Sequence, residues 1–107
     1  MKGIDIKADK NRTLRYSINA MIQFKKDRGV SITKAMQTFA EDVDFETLRY
    51  LFYLGLKWED SMLDEEKAGE VMDAAIEENG FEAVITSIVN AVTMAMGDAP
   101  QDHKSKN

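Results

Sequence analysis

The side chains in this sequence that could perform chemistry are mostly carboxylates, and nothing around them completes a reactive site. The chain has 19 Asp and Glu residues, one histidine and no cysteine. A serine nucleophile needs a histidine base, and many hydrolases present it on a GxSxG turn. The lone His103 lies in a polar C-terminal stretch, and neither feature accompanies Ser17, Ser31, Ser61 or Ser87. We therefore expect no enzyme activity.

The sequence also gives little indication of metal or phosphate binding. Asp42 with Asp44, or the acidic run 64–66, could hold a hard cation through carboxylate oxygens. The alternating Asp/Asn pattern of a calcium loop is missing, and six scattered glycines form no phosphate loop. The absence of cysteine excludes a disulfide scaffold and a thiolate zinc site. Helix capping is the better interpretation of these acids, and we expect no metal and no cofactor.

The segment 44–58, DFETLRYLFYLGLKW, is the most informative part of the chain. At helical spacing one broad apolar face is formed by Phe45, Leu48, Leu51, Phe52, Leu56 and Trp58, while Tyr50, Tyr53 and Leu54 fall on the other side. A helix that is apolar nearly all round is either fully buried or pressed against partners. A chain of 107 residues has little protein to bury it. We therefore predict contacts with a partner or another copy at Tyr50, Tyr53, Leu54 and Trp58.

Capping residues and apolar spacing predict four further helices around this one. The first runs from Ser17 to Arg28 with Ile18, Met21 and Ile22 inward, and the second, capped by Ser31, runs from Ile32 to Glu41. The fourth helix is capped by Asp64 and ends at Asn79. The fifth runs from Phe81 to Met96. Residues 3–18 alternate in polarity, as a hairpin turning near residues 9–12 would. The prediction is a mainly α, single compact domain of about five helices over residues 1–97. It has an N-terminal hairpin or extended segment, and residues 98–107 form a disordered polar tail.

Methionines and glycines add candidate contacts. Met94 and Met96 lie about 200° apart on a helix, so we expect one of them to contact something other than the core. Both are candidate partner contacts, because methionine repacks easily against varied surfaces. Gly55 and Gly69 lie inside predicted helices, where glycine costs up to about 1 kcal/mol against alanine. We predict that a neighbouring helix approaches closely at each of them.

The charge distribution is uneven. Residues 1–34 carry a balance of +6, residues 35–100 carry −12, and the last seven carry +1. Two interpretations stay open: ordinary solvated faces, or head-to-tail attraction between copies that builds a homo-oligomer. Nucleic acid is disfavoured, because the basic residues are scattered and the acidic two-thirds would repel a polyanion. A membrane is disfavoured too, because the longest uncharged run, 83–97, is shorter than the roughly 20 residues of a spanning helix.

The run from Asp44 to Val84 resembles the tail assembly chaperones of long-tailed bacteriophages and prophages. That family pairs an aromatic-rich "LRxLxYxGL" helix with an acidic helix of the pattern "L-T/D-x-E-E-x-G-x-hydrophobic". The matching residues here are 48–56, LRYLFYLGL, and 63–71, LDEEKAGEV. Upstream, Lys26-Asp27-Arg28-Gly29 matches the Lys/Arg-x-Gly end of an earlier helix in the family. The likeness covers about residues 12–95.

The resemblance implies a non-enzymatic assembly factor in the host cytoplasm. Such proteins coat the tape measure protein, recruit tail tube subunits and are absent from the mature virion, and many also have a frameshifted longer form. Two other functions stay open. One is a generic all-helical interaction module or small regulator that binds a single partner helix in a groove. The other, less favoured, is a helix-turn-helix DNA binder that uses the basic first third of the chain.

Overall fold

The computed structural model describes residues 3–97, and the chain runs through a hairpin followed by helices. The elements are β1 (Ile4–Lys7), β2 (Asn11–Leu14), α1 (Ile18–Arg28), α2 (Ile32–Gln37), a 3₁₀ turn (Thr38–Ala40), α3 (Phe45–Leu56), α4 (Glu65–Asn79) and α5 (Phe81–Ala95). The predicted mainly α fold of five helices with an N-terminal hairpin is therefore confirmed. The predicted disordered tail, including His103, lies outside the described residues.

Side-chain caps begin four of the five helices where the sequence predicts them. Each capping oxygen accepts a backbone N–H from the first turn: Ser17 from Ala20, Ser31 from Lys34, Asp44 from Glu46 and Asp64 from Lys67. These bonds satisfy donors that have no partner within the helix itself. The left-handed backbone of Gly29, with φ of 80°, ends α1, and Gly80, with φ of 92°, separates α4 from α5. Local chemistry therefore sets most of the element boundaries.

Helix α3 lies at the centre and packs against α1, α4, α5 and β2. Its inward residues Leu48, Leu51, Phe52 and Leu56 are completely buried, as predicted. The prediction that Phe45 and Trp58 share that inward face is wrong, since 64% and 47% of their surfaces are exposed. Phe45 begins the helix and Trp58 lies just beyond its end. The neighbouring elements do not cover these two ends.

The predicted face of α1 is wrong for its two isoleucines, whereas Met21 is partly buried and packs against the core. Ile18 and Ile22 are exposed, whereas Phe24 is completely buried and its ring lies 6.0 Å from that of Tyr50 on α3. At 100° per residue, Phe24 lies about 120° or more around the helix from both isoleucines. A single aromatic ring packed on α3 thus sets the rotation of α1, and two isoleucines are left in solvent.

The hairpin is antiparallel, with Ile4 opposite Leu14 and Lys7 opposite Asn11. Its most unusual residue is Arg12, which is only 4% exposed. Among residues 3–97 it is the one charged residue that is buried. The Arg12 guanidinium donates to Asp9 at 2.9 Å and to Asp60 at 3.2 Å. The hydrogen bond from Arg12 lowers the pKa of the Asp9 carboxyl. This cluster joins the turn of the hairpin to the loop between α3 and α4.

Further hydrogen bonds tie the hairpin and the segment after it to distant parts of the chain. They run from Tyr16 Oη to the Leu51 carbonyl at 2.6 Å, from the Arg15 amide to the Gly55 carbonyl at 2.9 Å, from Trp58 Nε1 to the Thr13 carbonyl at 2.9 Å, and from Asn79 Nδ2 to the Lys7 carbonyl at 2.7 Å. A lone two-stranded hairpin is marginal in water. Here it is held by the helices rather than by its own ladder.

The two helical glycines are each approached closely, but by different elements. A Cβ atom on Gly55 would lie 2.7 Å from Tyr16 Oη and 2.8 Å from Leu14 Cδ2. The predicted neighbouring helix is therefore wrong for Gly55, because the end of β2 and the residues after it fill this space. A Cβ atom on Gly69 would lie 3.0 Å from Arg49 Cδ, on α3. For Gly69 the neighbour is therefore a side chain of α3 rather than the backbone of that helix.

Candidate interaction surfaces

The structure separates the six predicted contact residues into buried and accessible ones. Tyr50 and Leu54 are buried within the chain, which corrects the prediction that they face a partner. Tyr53 and Met94 are partly buried, and Trp58 and Met96 are exposed. Met94 lies within α5, whereas Met96 follows its last residue and is the more exposed of the two methionines.

Tyr50 is buried because α1 covers the side of α3 that the sequence analysis assigns to a partner. Its ring lies between those of Phe24, at 6.0 Å, and Tyr53, at 5.8 Å. Its hydroxyl donates to the Asp27 carboxylate. Burial and this carboxylate raise the pKa of Tyr50, and the hydrogen bond lowers the pKa of Asp27. Tyr50 therefore joins α1 to α3 inside one molecule.

The exposed indole at the end of α3 forms a surface that we name the Trp58 corner, made of Arg15, Tyr53, Leu54, Lys57 and Trp58. The Arg15 guanidinium stacks over the indole at 4.5 Å, and Lys57 Nζ lies 5.5 Å from the ring centre of Tyr53. An open cleft of about 260 Å³ runs between these residues and α1, with Leu54 at its lining. The hydrogen bond from the indole to the hairpin fixes the ring in place.

The electrostatics of the Trp58 corner are those of a basic aromatic site. Neither Arg15 nor Lys57 forms an ion pair with any residue of the part described, 3–97. Both cations lie against aromatic rings, an arrangement worth about 0.5–1 kcal/mol at exposed sites. A partner that places an apolar side chain on the indole and a carboxylate beside either cation would fit this surface.

A second surface, the Phe45 groove, lies between α3 and α4 and has a volume of about 600 Å³. At one end it is apolar: the exposed ring of Phe45 lies 5.8 Å from that of Phe81, next to Met72 and Ile76. Toward the start of α4 the lining is mostly charged, with Arg49, Glu66, Gly69 and Glu70. Glu46 and Asp73 also line the groove and directly follow Phe45 and Met72 in the chain. The apolar spacing of the sequence does not predict this groove, although Phe45 directly follows the N-cap and so lies at the open end of a helix.

The charged end of the groove is only loosely paired. Three long contacts of 3.5–3.8 Å join charges in or beside it: Arg28 with Glu46, Arg49 with Glu65, and Lys67 with Glu70. Arg49 Nε is buried without a hydrogen-bond partner. Glu66 and Asp73 have no ion pair within residues 3–97. The groove therefore presents two uncompensated carboxylates beside an apolar end.

Among residues 3–97, no group of three or more His, Cys, Asp or Glu side chains is placed to hold a metal ion. Within the same range, no helix has the length and apolar character required to cross a bilayer. The acidic residues singled out as caps, Asp44 and Asp64, do cap α3 and α4. A hydrogen bond from Thr47 lowers the pKa of Asp44.

Comparison of the chain with models of protein families, with curated proteins and with solved structures gave no match.

Proposed function

We propose that this chain is a non-enzymatic phage tail assembly chaperone. In this role it binds the tape measure protein and recruits tail tube subunits in the host cytoplasm, and it is absent from the mature virion. The sequence supports the proposal through the resemblance of residues 12–95 to that family. The geometry supports it through one observation: Trp58 is an exposed aromatic ring beside two cations, Arg15 and Lys57, that no carboxylate of residues 3–97 pairs with.

The Trp58 corner indicates the kind of segment that it binds. The indole offers a flat apolar surface, and Leu54 provides apolar lining in the adjoining cleft. Arg15 and Lys57 favour a carboxylate next to the apolar anchor. An amphipathic helix of the tape measure protein that carries an acidic residue one turn from a large apolar residue has this chemistry.

A chaperone must also release its client, and the construction of this corner agrees with that requirement. The cations lie at the edge of the surface, where salt screens them and where their main effect is on the rate of association. The indole is already fixed by its hydrogen bond to the Thr13 carbonyl, so little side-chain freedom is lost on binding. Aromatic anchors of this type carry about 2 kcal/mol or more of an interface, which suits a complex that forms and then dissociates.

The test is coexpression of the chain with its cognate tape measure protein, with the yield of soluble complex as the readout. Trp58→Ala removes the anchor, and Lys57→Glu reverses one cation without changing any packed residue. Met62→Ser is the matched control, because Met62 is an exposed apolar side chain outside the cleft. Circular dichroism shows whether each variant is folded, which matters most for Trp58→Ala because it also loses a hydrogen bond.

We expect wild type and the Met62→Ser variant to give equal amounts of soluble complex, and the two corner variants to give much less. A wild-type chain that leaves the tape measure protein insoluble would refute the chaperone function. Corner variants that are folded and bind as well as wild type would move the contact to another surface.

A further inference from the structure

One face of α1 is turned away from the molecule and combines apolar with basic residues. Ile18, Ile22, Lys25 and Lys26 are all exposed. At 100° per residue the first three lie within roughly 60° of one another, and Lys26 lies beside them. We name this face the α1 stripe. Neither lysine forms an ion pair within residues 3–97. A helix with two adjacent isoleucines in solvent and two unpaired cations has the composition of an interface.

The Phe45 groove is complementary to this stripe. The groove has an apolar end at Phe45 and Phe81, and its two uncompensated carboxylates belong to Glu66 and Asp73. The stripe has an apolar end at Ile18 and Ile22. Beyond it are two lysines that form no ion pair within residues 3–97, of which Lys26 lies near the Asp27 carboxylate. Opposite charges without partners in one molecule can be satisfied by a second molecule, and complementary patterns of this kind steer association.

The lengths of the two surfaces also agree. From Ile18 to Lys25 the stripe is about 10.5 Å long, and from Ile76 to Glu66 the α4 wall of the groove is about 15 Å long, at 1.5 Å per residue. When Ile18 is level with Ile76, Lys26 lies about 3 Å short of the level of Glu66. Lys25 lies about 6 Å past the level of Asp73, a distance that its side chain spans because it leans back toward the start of α1. In the opposite direction the isoleucines would lie against the charged end, and the lysines would lie against Phe45 and Phe81.

We propose that the α1 stripe of one copy docks in the Phe45 groove of a second copy, with α1 antiparallel to α4. The stripe faces away from α3, whereas the groove lies between α3 and α4, so the two surfaces of one molecule cannot meet each other. After one such contact, the groove of the first copy and the stripe of the second copy are still free to bind further copies. Such a head-to-tail contact extends into an open chain or closes into a ring. This inference does not depend on the tape measure protein.

The experiment measures mass by light scattering and sedimentation over a range of protein and salt concentrations. One variant disables the stripe, Ile18→Ser with Ile22→Ser. The other disables the groove, Glu66→Lys with Asp73→Lys. All four side chains are exposed, so both variants should keep the fold, which circular dichroism checks. Met62→Ser and Glu41→Lys are matched controls, one exposed apolar and one exposed acidic residue away from both surfaces.

We expect wild type and the controls to associate as concentration rises, and to associate less in high salt. Each double variant should associate at least about tenfold more weakly. Mixing the two double variants is the decisive arm. The intact groove of the stripe variant can bind the intact stripe of the groove variant, and no further contact is possible. The mixture should therefore give a mass of two chains and stop there.

Several results would overturn the proposal. They are a wild-type chain that is monomeric at all concentrations, double variants that associate as wild type does, controls that dissociate as the double variants do, and a mixture that stays monomeric or grows beyond two chains. None of these results affects the coexpression test of the Trp58 corner, so the two proposals succeed or fail separately.

Discussion

The same substitution, glycine to alanine, should have opposite effects at the two helical glycines. In a helix interior alanine is favoured over glycine by about 1 kcal/mol. At Gly55 the new methyl group would lie 2.7 Å from Tyr16 Oη and 2.8 Å from Leu14 Cδ2, both completely or almost completely buried side chains. At Gly69 it would lie 3.0 Å from Cδ of Arg49, a long and partly exposed side chain.

The expected change in the free energy of unfolding depends on whether the neighbouring side chains can shift to make room for the methyl group. Overpacking a core costs about 1–3 kcal/mol. A displaced Tyr16 would also lose its hydrogen bond to the Leu51 carbonyl, worth about 1 kcal/mol. After the gain in helix propensity, Gly55→Ala should lower the free energy of unfolding by about 1–3 kcal/mol. At Gly69 only Arg49 must shift, and its ion pair with Glu65 is already long at 3.8 Å. Gly69→Ala should therefore be neutral or stabilise by up to about 1 kcal/mol.

Urea denaturation followed by circular dichroism measures both changes. The melting temperature should fall by several degrees for Gly55→Ala, since about 1 kcal/mol shifts a domain of this size by about 4–8 °C. A double-mutant cycle of Gly55→Ala with Tyr16→Phe adds a control, because removing the hydroxyl removes the nearest atom and should relieve part of the cost. If both glycine variants change stability in the same direction, or if the cycle shows no coupling, the reasoning from these contacts is wrong.

Four further predictions concern the core and its titratable groups. Phe52→Ala should cost about 3–5 kcal/mol in urea unfolding, because the ring is completely buried, and a loss below about 1 kcal/mol would contradict its place in the core. Arg12→Met should cost about 1.5–3 kcal/mol, since three charged hydrogen bonds are lost, two to Asp9 and one to Asp60. Because the pKa of Asp9 is lowered from 3.8 in the folded chain, its stabilisation is present above about pH 4 and is lost as pH falls further, which urea midpoints between pH 7 and 2.5 would detect. Burial raises the pKa of Tyr16 and of Tyr50 above 10.0, so their stabilisation is present below about pH 10 and is lost at higher pH; in an absorbance titration both phenols should ionise only as the fold opens.

The parts of the fold that depend on local chemistry could be predicted from the sequence. Ser17, Ser31, Asp44 and Asp64 cap helices because each satisfies backbone donors within three residues of itself, and such an effect is visible in a short window. The alternation that predicts the hairpin is local in the same way. These features do not require knowledge of which element packs against which.

The orientation of the helices could not be predicted in the same manner. In α3 apolar residues occur on every side, so periodicity cannot decide that Tyr50 and Leu54 are covered while Phe45 is open. In α1 the choice between Ile22 and Phe24 is made by the ring of a residue on another helix. The burial of Arg12 depends on Asp60, 48 positions away. Long-range contacts of this kind leave no periodic signal in the sequence. For this reason the exposed contact surface of the structure differs from the one that the sequence predicts.

The bonds that hold the hairpin have a consequence for how the chain emerges during synthesis. The strands are made first, but their anchors on the helices come as much as 72 residues later, at Asn79. At translation rates of about 5–20 residues per second, the hairpin waits roughly 4–14 s for its last anchor. During that interval its strand edges are open to pairing with other nascent chains. The hairpin is therefore made well before the residues that secure it, and this delay is a period in which its strands can pair wrongly.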